Sequence, residues 1–102
     1  MAQAQVYLAE NFRERVQLSD LVAATDTSPF HLCRVFREET GHTLHEQLVR
    51  LRLRASLEAL RDSKASITVI AHDLGFNSHS HFTSAFKKKF RMTPSLYRQH
   101  FA

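Results

Sequence analysis

The chain has 102 residues, of which 43% are hydrophobic and 24% charged, so its length suits one compact domain and excludes a second large one. Only two glycines and two prolines are present, whereas barrels and sandwiches need turn residues every few positions, so we expect an all-α fold. A single cysteine excludes an internal disulfide and argues against a structural zinc site.

The net charge of +4 is concentrated in the second half of the chain. Residues 1–50 hold 5 basic and 7 acidic side chains (net −2), whereas residues 51–102 hold 9 basic and 3 acidic ones (net +6). This excess favours a polyanionic partner, nucleic acid first and an acidic membrane surface second.

Membrane insertion and secretion lack the sequence features that they require. No run of about 18 apolar residues is present, and the first ten residues lack the basic start and apolar stretch of a secretion signal. We therefore predict a cytoplasmic chain without a membrane partner.

Two short helices are expected at the start of the chain. Apolar residues recur at helical spacing at Val6, Leu8 and Phe12. The pattern predicts a first helix from about residue 3 to Arg15. A second helix of about seven residues is predicted to begin at Ser19, a favourable N-cap, with Asp20 in its first turn.

Cap signals define the third and fourth helices. Ser28 can cap a helix in which Pro29 takes the first position, and Gly41 is suited to end it. Thr43 then opens the longest periodic segment, which continues to about Asp62. A helix of about 19 residues is roughly 28 Å long, close to one turn of duplex DNA at roughly 34 Å.

The rest of the chain predicts three more helices. Residues 63–66 form a linker-like break, and Ser66 can cap the fifth helix. After a turn over residues 75–78, a sixth helix is expected from His79 to Phe90. The Thr93-Pro94 pair repeats the cap-then-proline signal and begins the seventh helix.

The second half of the sequence repeats the first. The short helix with Leu18 and Leu21 corresponds to the one with Ile67 and Ile70 at an offset of 49 residues. After the turn, an offset of 50 pairs Ser28 with Ser78, Leu32 with Phe82, Phe36 with Phe86 and Thr43 with Thr93. Each half therefore consists of a short helix, a tight turn and a longer helix, which is the layout of a helix-turn-helix unit.

Several short motifs follow one another in the second half of the sequence. They are Arg52-Leu53 with Ser56 and Leu60, Ile67-x-x-Ile70-Ala71, Gly75-Phe76, Ser80-His81-Phe82-Thr83, Phe86-Lys87-Lys88 and Thr93-Pro94-x-x-Tyr97-Arg98. Together they resemble the AraC/XylS family of bacterial transcription regulators. The resemblance covers nearly the whole chain. It implies an all-α domain of about seven helices, in which two helix-turn-helix units are joined by a long central helix.

The resemblance also implies a function and a domain organisation. We expect one DNA-binding domain with a first unit at residues 1–42, a linker helix at 43–62 and a second unit at 63–102. The recognition helices, at about 29–40 and 79–90, are expected to enter adjacent major-groove segments of double-stranded DNA. The family further implies RNA polymerase as a partner of an activator, and we expect the chain to be part of a longer regulator, with a small stand-alone regulator as the alternative.

This sequence departs from the family pattern at several positions. Asp26 and Arg91 stand where glycine is common, Val22 where alanine is, and Gln47 where an aromatic residue is frequent. Ser84 replaces an arginine that many members carry on the second recognition helix, which weakens the case for strong base reading by that helix.

The first recognition helix carries the strongest candidates for base reading. Those that do not pack inside are Phe30, His31, Cys33 and Arg34, with Ser28 and Arg37 as phosphate contacts. The Arg34 guanidinium can donate two hydrogen bonds to O6 and N7 of guanine, but an ion pair with Glu38 or a phosphate contact is the alternative. Phe30 can press against thymine methyl groups or, alternatively, pack onto the first helix.

The second recognition helix has shorter and more basic side chains. Its candidates for base contact are His79, Ser80, Thr83 and Ser84. Its candidates for phosphate contact are Ser78, Lys87, Lys88, Lys89 and Arg91, which would carry no sequence information. A merely solvated basic face is the alternative. Arg50, Arg52 and Arg54 lie along the long helix, and some of them are expected to pair with Glu46 or Glu58 rather than to contact DNA.

Other functions find less support. The phenylalanines at 76, 82, 86 and 90 follow one helical stripe and are expected in the core rather than stacked on bases. The seven histidines share no metal-ligand spacing, so no metal, cofactor or small-molecule ligand is predicted. A glycine-rich phosphate loop and a nucleophile elbow are missing, so we do not expect an enzyme. The main rival is a helical protein-interaction module with a basic surface.

Overall fold

In the computed structural model, which describes residues 2–101, the backbone forms seven α-helices and no strand. They are α1 (Ala2–Asn11), α2 (Leu18–Thr25), α3 (Pro29–Thr40), α4 (Leu44–Asp62), α5 (Ile67–Asp73), α6 (His79–Phe90) and α7 (Pro94–Phe101). The expected all-α class and number of helices are confirmed.

The chain forms two compact units, one ending at Leu51 and the next beginning at Arg52, so α4 contributes to both. The core of the first unit consists of Ala4, Leu8, Leu21, Leu32, Phe36 and Leu48. The buried hydrophobic residues of the second are Leu53, Leu60, Ile70, Ala71, Leu74, Phe76, Phe82 and Phe86. Each unit thus packs its helix-turn-helix around buried apolar side chains that include residues of α4, and this burial is the main source of its stability.

The predicted caps of the helix-turn-helix elements are present. The hydroxyls of Ser28, Ser66 and Ser78 accept hydrogen bonds from the backbone N–H groups of His31, Val69 and His81 at 3.3, 3.2 and 3.0 Å. Each bond satisfies one of the N–H groups that a first helical turn leaves without a partner, and so fixes where the helix begins.

Two predicted boundaries in the first unit are wrong. The first helix ends at Asn11 and not at Arg15, because the Asn11 side chain donates to the carbonyl of Tyr7 at 2.9 Å and the chain turns directly afterwards. The second helix begins at Leu18 with Gln17 as its cap, so Ser19 lies inside it. Asp20, in the first turn, accepts the backbone N–H of Gln17 at 2.9 Å.

The two departures from glycine lie at special backbone positions. Asp26 and Arg91 have positive φ angles of 53° and 65°, and they are the only residues other than glycine with positive φ between residues 2 and 101. Both end a helix, at the position where Gly41 ends α3 with a φ of 78°. Left-handed backbone is costly for a residue with a Cβ atom, which explains why glycine suits these sites.

Candidate nucleic-acid interface

The exposed face of α3 begins directly after its cap. Phe30 is 80% exposed, so its alternative assignment as a side chain packed on the first helix is wrong. Arg34 and Arg37 follow at spacings of four and three residues and are also exposed, which places all three side chains on one face of the helix. This face combines a large apolar ring with two guanidinium groups.

Arg34 has two polar neighbours on its own helix. Its Nη1 lies 3.5 Å from Oε1 of Glu38, and its Nη2 lies 3.3 Å from Nδ1 of His31. The ion pair considered as an alternative is therefore formed. Exposed pairs of this kind contribute about 0–1 kcal/mol, so the pair does not prevent the guanidinium from reaching another acceptor.

Cys33 is exposed on a different side of α3 from Arg34. It lines a shallow apolar pocket of the first unit together with Leu8, Leu21 and Leu48. Of the four predicted base readers on α3, Cys33 is the one that lines this pocket.

The first two turns of α6 expose short polar side chains. His79, Ser80 and Ser84 are exposed, whereas Thr83 is half-buried. The Nδ1 atom of His79 lies 3.4 Å from the Thr68 hydroxyl of α5, so Thr68 restrains the imidazole ring while Nε2 stays available to a ligand. These side chains can donate and accept hydrogen bonds, but three of the four are short.

The last turns of α6 are cationic. Ser84, Lys87, Lys88 and Arg91 line one open depression of the surface. Lys89 is exposed but is not among the residues lining it. Several cations around one concavity create a positive potential that attracts anions, and phosphate groups are anions of suitable size.

Each of the helices α3 and α6 begins with a serine cap. The oxygens of Ser28 and Ser78 each accept a backbone N–H, and both residues are exposed. A hydroxyl that accepts one hydrogen bond can still donate its own proton, for example to a phosphate oxygen. Ser28 and Ser78 can therefore cap a helix and bind an anion at the same time.

Phenylalanine side chains of the second unit pack along the buried side of α6. Phe76, Phe82 and Phe86 are buried, as expected, and Phe90 is half-buried. Their rings form a continuous series, with centroids 5.0 Å apart between Phe76 and Phe82, 5.7 Å between Phe82 and Phe86 and 4.6 Å between Phe86 and Phe90. This aromatic series fixes the inner side of the helix, and so determines which side chains face solvent.

Three arginines make contacts that the sequence analysis did not predict. Arg52 of α4 is only 6% exposed, and its guanidinium carbon lies 5.8 Å from the centroid of Phe76. Burial lowers the pKa of Arg52, but arginine stays charged at neutral pH. Arg98 binds backbone carbonyls far from it in sequence. Arg50 contacts Nε2 of His42 rather than a glutamate.

Two further features of residues 2–101 concern metal binding and membrane insertion. No group of three or more histidine, cysteine, aspartate or glutamate side chains is arranged to hold a metal ion among these residues. None of the helices described is both long and apolar enough to cross a membrane.

Comparisons with known proteins agree on one family. Residues 21–100 match the family model described as "Helix-turn-helix domain". The right origin-binding protein of Escherichia coli strain K12 is 36% identical over 94 residues, which cover 92% of this chain and 32% of that protein. The chain thus spans about a third of the length of this curated relative.

Solved structures share the fold over nearly the whole chain. A Chromobacterium violaceum transcriptional regulator, titled as containing an AraC-type DNA-binding domain, superimposes with a TM-score of 0.90 at 27% identity, covering 99% of this chain and 90% of that one. The DNA-binding domain of AdpA, solved in complex with a target DNA, has a TM-score of 0.89 at 24% identity, covering 96% of this chain and 88% of that one. At this identity the AdpA comparison establishes the fold alone.

Proposed function

Since the chain belongs to the AraC/XylS family of helix-turn-helix proteins, we propose that it binds a specific sequence of double-stranded DNA and regulates bacterial transcription. In this proposal residues 1–42 and 63–102 act as two helix-turn-helix units of one DNA-binding domain, joined by residues 43–62. The helices α3 and α6 enter adjacent major-groove segments of one site. Other relatives of similar identity are named as a transcriptional regulator of Salmonella typhimurium and a transcriptional activator of Escherichia coli, which supports the regulatory role.

The observation that carries the proposal is the pair of capped helices with matching exposed faces. The face of α3 presents Phe30, Arg34 and Arg37, and the face of α6 presents Ser80, Ser84 and Lys87 at the same spacing. Helices of this kind place the side chains of their first turns against base edges in the major groove. The matched spacing therefore favours a shared mode of binding by both units.

We assign base reading mainly to α3. Arg34 is proposed to donate two hydrogen bonds to a guanine, and Phe30 to contact thymine methyl groups, with His31 and Cys33 beside them. On α6, His79, Ser80, Thr83 and Ser84 are proposed to contact bases through shorter side chains. All of these side chains except Thr83, which is half-buried, are exposed in the free protein.

Phosphate contacts are assigned to the caps and the cationic end of α6. The proposed residues are Ser28, Arg37, Ser78, Lys87, Lys88, Lys89 and Arg91. These contacts neutralise the DNA backbone and fix the register of the protein, but they carry no sequence information. We propose RNA polymerase as a further partner and, because a bacterial transcription regulator acts on DNA in the cytoplasm, a cytoplasmic location.

Selection of bound sequences from a pool of random duplexes tests this function directly. The expected result is a bipartite site whose two halves lie about one helical turn apart. Binding should weaken with salt at a log–log slope near −5 if about six phosphates are contacted. Enrichment of no sequence, together with a salt-independent affinity for a protein, would instead support the helical protein-interaction module.

A further inference from the structure

Arg98 of α7 binds three backbone carbonyls of one short segment. Its Nε donates to the carbonyl of Leu60 at 3.1 Å, its Nη2 to that of Ser63 at 3.0 Å and its Nη1 to that of Ala65 at 2.6 Å. The guanidinium is half-buried. A single side chain thus holds the last turn of α4 and the linker that follows it.

These three carbonyls suit a guanidinium group. Leu60 belongs to the last turn of α4, where carbonyl groups have no partner within the helix and carry partial negative charge. The planar guanidinium presents several N–H donors at fixed angles, so the three carbonyls bound to it are held at fixed positions relative to one another. Lysine offers a single charged atom and cannot reproduce this geometry.

The segment held by Arg98 leads directly into the second helix-turn-helix. Ala65 precedes Ser66, whose hydroxyl caps α5. The ring of Tyr97, the preceding residue of α7, packs edge-on against Phe86 of α6, with centroids 5.8 Å apart. Neighbouring residues of α7 therefore contact both the linker that precedes α5 and the inner side of α6.

This tie is not a general feature of the repeated unit. At the offset of 50 residues, Arg98 corresponds to Leu48, a buried residue of the first unit's apolar core. A hydrophobic residue is thus sufficient to complete the fold of one unit. The arginine in the other unit calls for a role beyond filling that position.

We propose that Arg98 is a positioning residue that fixes the direction in which α5 and α6 leave the last turn of α4, and thereby sets the separation of half-sites that the protein accepts. The inference rests on the proposed function and deepens it. Inserting one base pair rotates the second half-site by roughly 35° about the DNA axis, because B-DNA has about 10–10.5 base pairs per turn. A rigidly held α6 cannot follow this rotation.

The test compares the wild type with Arg98→Gln and Arg98→Lys on duplexes that carry the selected site. One base pair is inserted or removed between the halves, and a further duplex has its second half scrambled. Arg61→Gln is the matched control. It also removes a positive charge, and Arg61 lies in the turn of α4 whose Leu60 carbonyl Arg98 binds. Among the contacts described, Arg61 pairs only with its neighbour Asp62, at 3.1 Å. Far-ultraviolet circular dichroism reports the helix content of each variant.

For the wild type and Arg61→Gln, each shift in spacing should cost about tenfold in affinity, similar to a mismatched base pair. For Arg98→Gln the cost should fall below about threefold, with unchanged affinity for the duplex that has only the first half-site. Arg98→Lys should lie between them, because its ammonium can satisfy one carbonyl.

Either of two results would overturn the positioning role. One is a folded Arg98→Gln or Arg98→Lys protein with the spacing profile of the wild type. The other is loss of helix content in both variants, which would make Arg98 a residue of stability alone. A wild type without sequence preference contradicts the proposed function itself, and is recognised without any variant.

Discussion

Two helices at equivalent positions of the repeat, α3 and α6, expose different chemistry. The offset of 50 residues pairs Phe30 with Ser80, Arg34 with Ser84, Arg37 with Lys87, Glu38 with Lys88, and Gly41 with Arg91. The α3 helix has large side chains in its first turns and acidic ones in its last turns. The α6 helix has small side chains first and cations afterwards.

This difference indicates that one architecture can divide two tasks between its halves. Side chains as long as arginine and phenylalanine reach base edges from a helix axis, whereas serine reaches them only at close approach. Cations attract the backbone of any sequence, and carboxylates repel it. We therefore expect α3 to supply most of the discrimination and α6 most of the non-specific affinity.

The largest effect is expected at the cationic end of α6. Replacing Lys87, Lys88 and Arg91 together by glutamine should reduce the log–log salt slope by about 2.7 and the affinity by about a hundredfold near 0.15 M salt. The loss should be similar for all sequences. Binding titrations at several salt concentrations, on the selected site and on an unrelated duplex, measure both quantities.

A charge-matched triple variant separates position from net charge. Replacing Arg54, Arg61 and Lys64 by glutamine removes the same charge from the second unit at exposed positions outside α6. Its salt slope should change much less. Equal losses in the two triple variants would show that the charge of the whole unit matters, and not the depression on α6.

A smaller effect, confined to one or two base pairs, is expected from Arg34→Ala. Loss of a bidentate contact to guanine should reduce discrimination at that pair by about 2 kcal/mol, roughly thirtyfold. Its equivalent, Ser84→Ala, should change discrimination far less. Competition binding with single-base variants of the selected site measures the difference, and Lys88→Ala should weaken binding to all of them about equally.

The predicted contrast has a clear failure. If Arg34→Ala leaves the preference at every base pair unchanged, the exposed face of α3 does not read bases through this residue. The ion pair with Glu38 would then be its main interaction. An equal loss of discrimination in Ser84→Ala would instead show that α6 reads bases as strongly as α3.

Arg91→Gly should raise stability and lower affinity at the same time. Arg91 has a φ of 65°, whereas its equivalent Gly41 reaches 78° without a Cβ atom. Relief of this strain should increase the free energy of unfolding by about 1 kcal/mol. Loss of one phosphate contact should reduce DNA affinity by about fivefold near 0.15 M salt.

Denaturant unfolding and DNA titration measure these opposite changes on one protein. Asp26→Gly, at the other strained helix end, is the matched control and should gain stability without losing affinity. A parallel change in stability and affinity for Arg91→Gly would contradict a role for this side chain in binding. Strained positions retained at a surface often mark function in this way.

The parts of the fold that sequence predicted well depend on local chemistry. Serine caps at residues 28, 66 and 78, and the αL glycine at 41, act within a few residues of themselves, so their signals can be read directly. The failures at Asn11 and Gln17 are local too, but they depend on which of several polar side chains takes a backbone group.

The positions missed by sequence reasoning depend on distant contacts. Arg98 is separated by 33 to 38 residues from the carbonyls that it binds, and Arg52 lies over a ring 24 positions further along the chain. Nothing in the sequence directly before or after these two arginines distinguishes them from exposed arginines. Their place in the resembled motifs was the one available signal, and it gave no mechanism. The exposed stripes of α3 and α6 were predictable because helical periodicity defines the buried side.

The smallest effect is expected at the caps that precede α4 in the first unit and α7 in the second. Thr43 and Glu46 form a reciprocal cap, in which the Thr43 N–H donates to Oε1 of Glu46 at 2.8 Å and the Glu46 N–H donates to the Thr43 hydroxyl at 3.0 Å. The second unit has only half of this motif, because Leu96 occupies the position equivalent to Glu46, and the Thr93 hydroxyl accepts its N–H at 3.1 Å.

The cap gives the first unit an acid-sensitive element. Hydrogen bonds from the backbone and the side chain of Thr43 lower the pKa of Glu46. A lowered pKa in the folded state means that the carboxylate adds stability above the ordinary glutamate value of about 4.3, and that this stability is lost as the pH falls through the folded value.

Glu46→Gln should therefore lower Tm by at most a few degrees at neutral pH, and the wild-type and variant curves should converge in acid. Glu10→Gln, which removes an exposed carboxylate from α1, should show no such convergence in thermal melts followed by circular dichroism. If the difference in Tm between Glu46→Gln and the wild type stays constant from neutral to acidic pH, the charge of Glu46 does not stabilise α4. The caps of α4 and α7 would then contribute equally to stability.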